Sequence, residues 1–224
     1  EMNIRDWSSD VCSSDLGTLY KFPDNKDELF QIAVAQSSME LGFNGSYEDA
    51  LAIAQDSGRE YGSEQTLFVK EHGLNKRDLF VRAHEVGSHL FTQALKPDAK
   101  ISQAIKTLAE NRDIAILTHS ADNWARRLLN HLQIAPEIKT DRILALDHPE
   151  IDFRTKGDFA EVFEIACGKM GVAPETCAIF EDSVNNLRHP HDMGMQAVYV
   201  NWGNAIEHDD FEIDQISSVA ELRL

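Results

Sequence analysis

The chain has 224 residues, of which 42% are hydrophobic, and it holds 12 glycines and 6 prolines. This composition excludes fibrous, collagen-like and wholly disordered proteins, and the length suits one large domain or a core with a smaller insertion. Lysine and arginine total 21 against 38 acidic residues, a formal net charge of -17. Such a charge disfavours nucleic-acid and membrane partners, whereas a small anionic substrate is possible if a metal or a basic group offsets the field.

Targeting signals and cysteines indicate the compartment. No apolar run approaches the ~18 residues that span a bilayer, and the first residues do not read as a signal peptide. The three cysteines, Cys12, Cys167 and Cys177, stand at unrelated spacings, which indicates reduced thiols. We therefore expect a cytoplasmic protein.

The segment from residue 27 to about 96 has a helical pattern throughout. Apolar positions recur at helix-like spacing after Asp27, further helices are predicted over 47–55 and 63–71, and Asn75 is placed to cap another. No stretch alternates as a strand does. The segment therefore predicts an all-helical insertion.

Beyond Pro97 the pattern changes to short apolar runs separated by amphipathic helices. Pro97-Asp98 begins a helix, and later helices are predicted from Phe159 to Gly171 and through Met193-Gly194. This alternation is typical of parallel strands joined by helical crossovers. We predict an α/β fold, a doubly wound parallel sheet, in which ligands bind beyond the carboxyl ends of the strands. The apolar runs are 114–117, 143–146, 177–180 and 197–200.

Two adjacent carboxylates, Glu181 and Asp182, close the third of these runs. Both side chains can reach one hard cation, because Mg²⁺ takes one or two protein carboxylates with phosphate and water. The alternative is that Asp182-Ser183 caps the next helix.

Thr118 ends the first run just before a predicted helix, where a hydroxyl and helix N–H groups can bind an anion or merely form an N-cap. His119 follows it. Lys156 follows the extended segment 151–155 and is a candidate point charge for a phosphate. Gly17-Thr18 forms a tight turn before the helical insertion.

His189, Pro190 and His191 are expected in an exposed loop rather than in a metal site.

Together these clusters resemble the haloacid-dehalogenase superfamily, in its subgroup with a helical cap after the first motif. The resemblance runs from Gly17 to about Asn204. Its most specific piece is Ala178-Ile179-Phe180-Glu181-Asp182-Ser183-Val184-Asn185-Asn186-Leu187, followed by Met193-Gly194-Met195 and Tyr199-Val200. It implies a Rossmann-like core over 1–20 and 96–224 and a helical cap over 21–95 that closes over the substrate.

The resemblance also implies a role for each site residue. Glu181 and Asp182 are the Mg²⁺ acids, and Ser183 and Asn186 belong to the supporting loop. Thr118 is the phosphate-binding hydroxyl and Lys156 the charge that neutralises nucleophile and phosphoryl group. The substrate-binding residues are Gly17, Thr18, Thr118, His119 and Lys156, with His119 where an asparagine is frequent.

Within the superfamily, the Gly17-Thr18-Leu19-Tyr20 segment and the segment after Glu181 look most like pyrimidine 5'-nucleotidase-type phosphatases. The expected activity is Mg²⁺-dependent hydrolysis of a phosphomonoester, such as a pyrimidine nucleoside monophosphate, by a monomer or homodimer. The alternatives are a sugar-phosphate or phosphoglycolate phosphatase, a 2-haloacid dehalogenase, and a catalytically dead phosphate-binding protein.

The chain departs from the family at its first motif, which ends Asp-x-Asp-Gly-Thr. Counting back from Gly17 places the nucleophile at Ser14 and the general acid–base at Leu16. Neither side chain can perform the role of the aspartate that the family has there. Asp15 occupies the intervening position, where its side chain is expected to face away. We therefore expect no turnover from the chain as written.

Residues 6–15 also lack the apolar run of a central parallel strand. The block DWSSDVCSSDL resembles translated sequencing-adapter DNA. We hypothesise that residues 1–16 are not native and that the parent protein carried the paired aspartates.

Overall fold

The computed structural model describes residues 10–14, 16–204, 206, 211 and 213–221, with side chains described from residue 17 onward. Its α-helices are α1 (Leu16–Leu19), α2 (Lys26–Glu40), α3 (Tyr47–Tyr61), α4 (Thr66–Lys70), α5 (Lys76–Ala94), α6 (Ala99–Ala109), α7 (Asp122–His131), α8 (Glu161–Met170) and α9 (Arg188–Asp192). Its strands are β1 (Asp10–Ser14), β2 (Ile114–Thr118), β3 (Ile143–Ala145), β4 (Cys177–Glu181), β5 (Gln196–Val200) and β6 (Asp214–Ile216).

The chain divides into two compact units. One is the continuous segment Phe22–Lys96, which holds α2 to α5. The other joins the described residues up to Lys21 with those from Pro97 onward and holds every described strand.

The helical unit has the helices that the sequence pattern predicts. Helix α3 begins with a capping box, in which Ser46 Oγ accepts a hydrogen bond from Asp49 N and the Asp49 carboxylate accepts one from Ser46 N. Asn75 caps α5 as predicted, because its side chain accepts from Arg77 N and Asp78 N. The apolar faces pack around the buried side chain of Phe68.

The second unit is built on one six-stranded sheet in the order β3-β2-β1-β4-β5-β6, with every pair parallel. The predicted apolar runs form β2, β3, β4 and β5, which confirms the doubly wound α/β fold. Strands β2 and β4 are buried along their whole length, as expected where helices cover both faces of a sheet.

The expectation that residues 6–15 cannot supply a central strand is wrong. The backbone of β1 lies between β2 and β4, with Val11 opposite both Ile114 and Ala178. The physical reason is that ladder hydrogen bonds are made by backbone N–H and C=O groups, which β2 and β4 offer whatever side chains β1 carries. A continuous apolar run is therefore not required of a central strand.

Helix α8 covers the sheet with an apolar face that includes Phe163, which is buried among side chains of β2 and β4. Gly171 ends the helix in the left-handed conformation, with φ of 75°, as the sequence predicts. The predicted start is wrong, because the helix begins at Glu161 and Phe159 lies before it, exposed to solvent.

Three further expectations differ from the structure. Segment 151–155 is a turn rather than extended, since Asp152 and Phe153 have φ of 46° and 61°. The helix expected through Met193-Gly194 ends at Asp192, because Gly194 turns the chain with φ of 80°. His189 to His191 lie in α9 rather than in a loop, and Pro190 is buried there.

Two of the three cysteines lie buried in the sheet unit. Cys167 of α8 and Cys177 of β4 have their sulfur atoms 3.8 Å apart. The side chain of Cys12 lies outside the described residues. Across the part of the chain that the structure describes, no helix is both long and apolar enough to cross a membrane.

A bidentate ion pair joins the amino ends of β2 and β3. The buried Arg142 guanidinium donates through Nη2 to Asp113 Oδ2 at 2.9 Å and lies 2.5 Å from Oδ1 through Nη1. Lys139 Nζ adds a longer contact of 3.4 Å. These bonds, with Arg142 first, hold the pKa of the Asp113 carboxyl below its usual range.

Replacing Asp113 with asparagine should remove part of the acid sensitivity of stability. A carboxyl whose pKa is lower in the folded state stabilises the fold above its unfolded pKa, and this stabilisation disappears as pH falls through the folded pKa. The urea midpoints of the wild type and Asp113→Asn should therefore differ at pH 7 and converge as the pH falls through the lowered folded-state pKa of Asp113. A difference that stays constant from pH 7 to pH 3 would contradict this.

Candidate functional site

The sequence-predicted site residues lie at the carboxyl edge of the parallel sheet. Thr118 is the last residue of β2, Glu181 is the last residue of β4, and Gly17-Thr18 lie in α1 directly after β1. Since β1 lies between β2 and β4, the three strand ends are neighbours. This is the edge at which parallel α/β sheets bind ligands.

A buried ion pair stands at the centre of this edge. Lys156 Nζ donates to Glu181 Oε2 at 2.8 Å, and each side chain is only 1% exposed. The ammonium also donates to the carbonyl of Leu117 in β2, at 3.4 Å. Burying two charges is costly unless both are paired and hydrogen-bonded, so this geometry fixes a cation at a defined point beside the strand ends.

The second oxygen of Glu181 organises the loop that follows β4. Oε1 accepts hydrogen bonds from Ser183 N and from Asn186 Nδ2, each at 3.1 Å. Both residues expected in the supporting loop therefore hold the carboxylate of Glu181 rather than standing apart from it. Four of the predicted residues form one connected network.

His119 joins the same network through the backbone. Its Nε2 accepts a hydrogen bond from Lys156 N at 2.9 Å. Because the partner is an N–H donor, Nε2 carries no proton, and the proton of the neutral ring is on Nδ1. His119 thus binds the backbone at Lys156, which follows the turn that contains Asp152 and Phe153.

Thr18 links the segment after β1 to the segment after β4. It is fully buried, and its Oγ1 donates to Asp182 Oδ1 at 3.3 Å. The carbonyl of Gly17 accepts a hydrogen bond from Trp202 Nε1 at 2.8 Å. Sequence reasoning missed Trp202, since a lone tryptophan about 185 residues away gives no signal that it contacts this turn.

The capping alternatives for Thr118 and Ser183 do not describe the structure. Helix α7 begins at Asp122 with Ala121 in the cap position, and Thr118 Oγ1 instead accepts from Ser120 N at 3.0 Å. Ser183 precedes a 3₁₀ turn over Val184–Asn186 without a side-chain capping bond. Their positions therefore need another explanation than helix capping.

The first-motif positions cannot be described at the level of side chains. Ser14 ends β1 and Leu16 begins α1, but their side chains lie outside the described residues, as does the whole of Asp15.

The donor atoms present suit a hard cation. Glu181 and Asp182 are adjacent carboxylates, and Mg²⁺ takes one or two protein carboxylates together with water and phosphate oxygens. Both oxygens of Glu181 already accept hydrogen bonds, whereas Asp182 accepts one through Oδ1 from Thr18, so Asp182 is the more available ligand. The described residues contain no group of three or more His, Cys, Asp and Glu side chains in a metal-binding arrangement. Within the described residues, a cation at this edge would therefore take much of its coordination from water and substrate.

The fold is shared with solved proteins of low sequence identity. A HAD phosphatase from Thermococcus onnurineus is 17% identical, with a TM-score of 0.65 over 95% of both chains. CbbY from Rhodobacter sphaeroides in complex with phosphate is 18% identical, with a TM-score of 0.63 over 95% of this chain and 96% of that one. A dehalogenase is 19% identical, with a TM-score of 0.57 over 96% and 95%.

Among curated proteins, none matches the sequence significantly. The family model described as haloacid dehalogenase-like hydrolase matches residues 17–190, which is most of the chain and includes every site residue from Gly17 to Asn186. The chain therefore belongs to the haloacid dehalogenase-like hydrolase family.

Proposed function

We propose that the carboxyl edge of the sheet is the phosphate site of a Mg²⁺-dependent phosphomonoester hydrolase. The observation that carries the proposal is the buried pair of Lys156 and Glu181, 2.8 Å apart beside the ends of β2 and β4. A fixed, desolvated cation stabilises negative charge on a phosphoryl group far better than a solvated lysine does. A binding surface for neutral ligands has no need of one.

Each neighbouring residue has a role in this proposal. Thr118 Oγ1, fixed by the amide of Ser120, donates to a phosphate oxygen, and Lys156 Nζ neutralises the phosphate. Asp182 and Glu181 hold Mg²⁺, which neutralises phosphate charge when bound. His119 keeps Lys156 in place through the bond to its backbone N–H.

We further propose that the substrate is a pyrimidine nucleoside monophosphate and that Phe22–Lys96 is the cap that selects its leaving group. The segments around Gly17-Thr18 and after Glu181 support this substrate class. The names of two structural neighbours, a phosphatase and a protein solved with phosphate, support the wider phosphatase reaction. The protein would act in the cytoplasm as a monomer or homodimer.

Because a dehalogenase is among the structural neighbours, the second candidate reaction is dehalogenation of a 2-haloacid. Screening UMP, CMP, phosphoglycolate, sugar phosphates and 2-haloacids, each with and without EDTA, separates the two. Turnover of a phosphate ester that EDTA abolishes supports the phosphatase, whereas EDTA-insensitive release of halide supports the dehalogenase.

The chain as written should bind phosphate without hydrolysing esters, because Ser14 and Leu16 replace the paired aspartates. Restoring both, as Ser14→Asp with Leu16→Asp, should raise Mg²⁺-dependent phosphatase activity from background by at least about 10²-fold. The matched control adds Asp182→Asn to the restored chain, which should return the activity to background. Hydrolysis by the unrestored chain, or a restored chain that stays inactive although folded, would contradict the proposal.

Our hypothesis that residues 1–16 are not native is tested at the gene. A read of source DNA that gives an apolar run ending Asp-x-Asp-Gly-Thr supports it. A read that gives Ser-Asp-Leu-Gly-Thr overturns it and identifies a phosphate-binding relative without its nucleophile.

A further inference from the structure

A separate cavity of about 550 Å³ lies beside the proposed phosphate site, within the sheet unit. This volume is in the range of small-molecule sites. Its walls are formed by the loop that follows Lys156, the turn that contains Val184 and Asn185, helix α9, and Phe211. Its lining residues are Gly157, Asp158, Val184, Asn185, Arg188, His189 and Phe211.

The walls of this cavity are joined to one another. His189 Nε2 lies 3.1 Å from the carbonyl oxygen of Gly157, which ties α9 to the loop after Lys156. A side chain added at Gly157 would meet Asn186 Oδ1 at 3.4 Å, so the loop and the turn after β4 lie in contact. The loop after Lys156 is therefore held against α9 by His189 and lies against Asn186 of the turn after β4.

Arg188 places a cation at the mouth of this cavity, with its side chain 54% exposed. Its guanidinium lies over the ring of Phe211, 5.6 Å from the centroid, and its Nε donates to Asp192 Oδ2 at 3.3 Å. Within the described part of the chain, its Nη groups have no hydrogen-bond acceptor. Those groups are the pair of donors with which arginine binds carboxylate or phosphate in a bidentate manner.

The opposite wall offers groups of different chemistry. The amide side chain of Asn185 is exposed in the cavity and can donate or accept. Asp158 accepts from Thr155 Oγ1 at 2.5 Å through Oδ2. A carboxylate in this place repels a second anion but accepts a hydrogen bond from a hydroxyl group.

We propose that this cavity binds a small hydroxylated anion, with Arg188 on its phosphate or carboxylate group and Asp158 on a hydroxyl. The proposal differs from the proposed function, because the anion binds at Arg188 rather than at Lys156. In a chain of net charge -17, the Nη groups of Arg188 define where an anion can bind in this cavity, with the carboxylates of Asp192 and Asp158 nearby.

The test counts phosphate ions bound per chain by equilibrium dialysis at low ionic strength. If both sites bind phosphate, the wild type binds two phosphate ions per chain. In Arg188→Gln, the affinity of the cavity site for phosphate should fall about tenfold or more. Arg188→Lys should recover only part of the affinity, since an ammonium lacks the paired donors. The matched control is Arg59→Gln, an exposed arginine of the helical unit that also pairs with an aspartate, and it should bind as the wild type does.

The outcomes separate this proposal from the proposed function. If Arg188→Gln binds as much phosphate as the wild type with equal affinity, the cavity is not an anion site and this proposal fails. If the wild type binds a single phosphate that Arg188→Gln abolishes, the cavity is an anion site and the phosphate site at Lys156 fails. Repeating the titration with L-malate distinguishes a carboxylate ligand from a phosphate ligand.

Discussion

Replacing Lys156 with methionine should lower the free energy of unfolding by about 3–5 kcal/mol. Methionine fills a similar volume, but it leaves the carboxylate of Glu181, 1% exposed, without its counter-charge. Water cannot solvate the carboxylate at this depth, and the two hydrogen bonds from Ser183 and Asn186 offset only part of the loss. Urea unfolding followed by circular dichroism measures the change.

Two further variants test whether the lost charge pair is the cause. Adding Glu181→Gln to Lys156→Met removes the unpaired charge, so the double variant should regain part of the lost stability. Lys169 is the matched control, because it pairs with Glu150 at the surface, and Lys169→Met should cost no more than about 1 kcal/mol. A loss at Lys156 no larger than that at Lys169 would show that the buried pair is not structurally important.

Replacing Phe163 with alanine should cost about 3–5 kcal/mol of unfolding free energy. The ring is fully buried in the cluster between α8 and the sheet, so truncation leaves a cavity that the neighbouring strands can fill only partly. Phe159, four positions earlier, is 41% exposed and serves as the control. Phe159→Ala should change stability by no more than about 0.5 kcal/mol. Equal losses at the two positions would mean that α8 packs with a different face.

Much of the sheet could be predicted because most of its strands are continuous runs of apolar residues. Strands β2 and β4 lie between two layers of helices, so each reads as an unbroken apolar run. Strand β1 is one of the two central strands but carries serine and aspartate, and its place is visible only in its backbone pairing. A pattern of side chains reports burial, and backbone pairing does not require that pattern.

The members of the candidate site could be predicted, but their contacts could not. Sequence position indicates that Lys156 and Glu181 both follow elements of one sheet edge. It does not indicate that the two side chains meet at 2.8 Å, nor that His119 binds the backbone of Lys156. Lys156 follows the left-handed turn at Asp152 and Phe153, and phenylalanine is a residue type that does not signal a positive φ. Trp202 was missed for a similar reason, since its contact with Gly17 joins distant parts of the chain.

The central place of β1 also determines the order in which the protein can fold. Val11 pairs with Ile114 and with Ala178, partners about one hundred and about 170 residues further along the chain. The helices of Phe22–Lys96 need only neighbours within that segment, and contacts close in sequence form fast. During synthesis β1 therefore leaves the ribosome long before either partner strand exists, and it stays unpaired while the helical segment folds. The sheet, and with it the edge that carries Lys156 and Glu181, is completed only after β4 has been made.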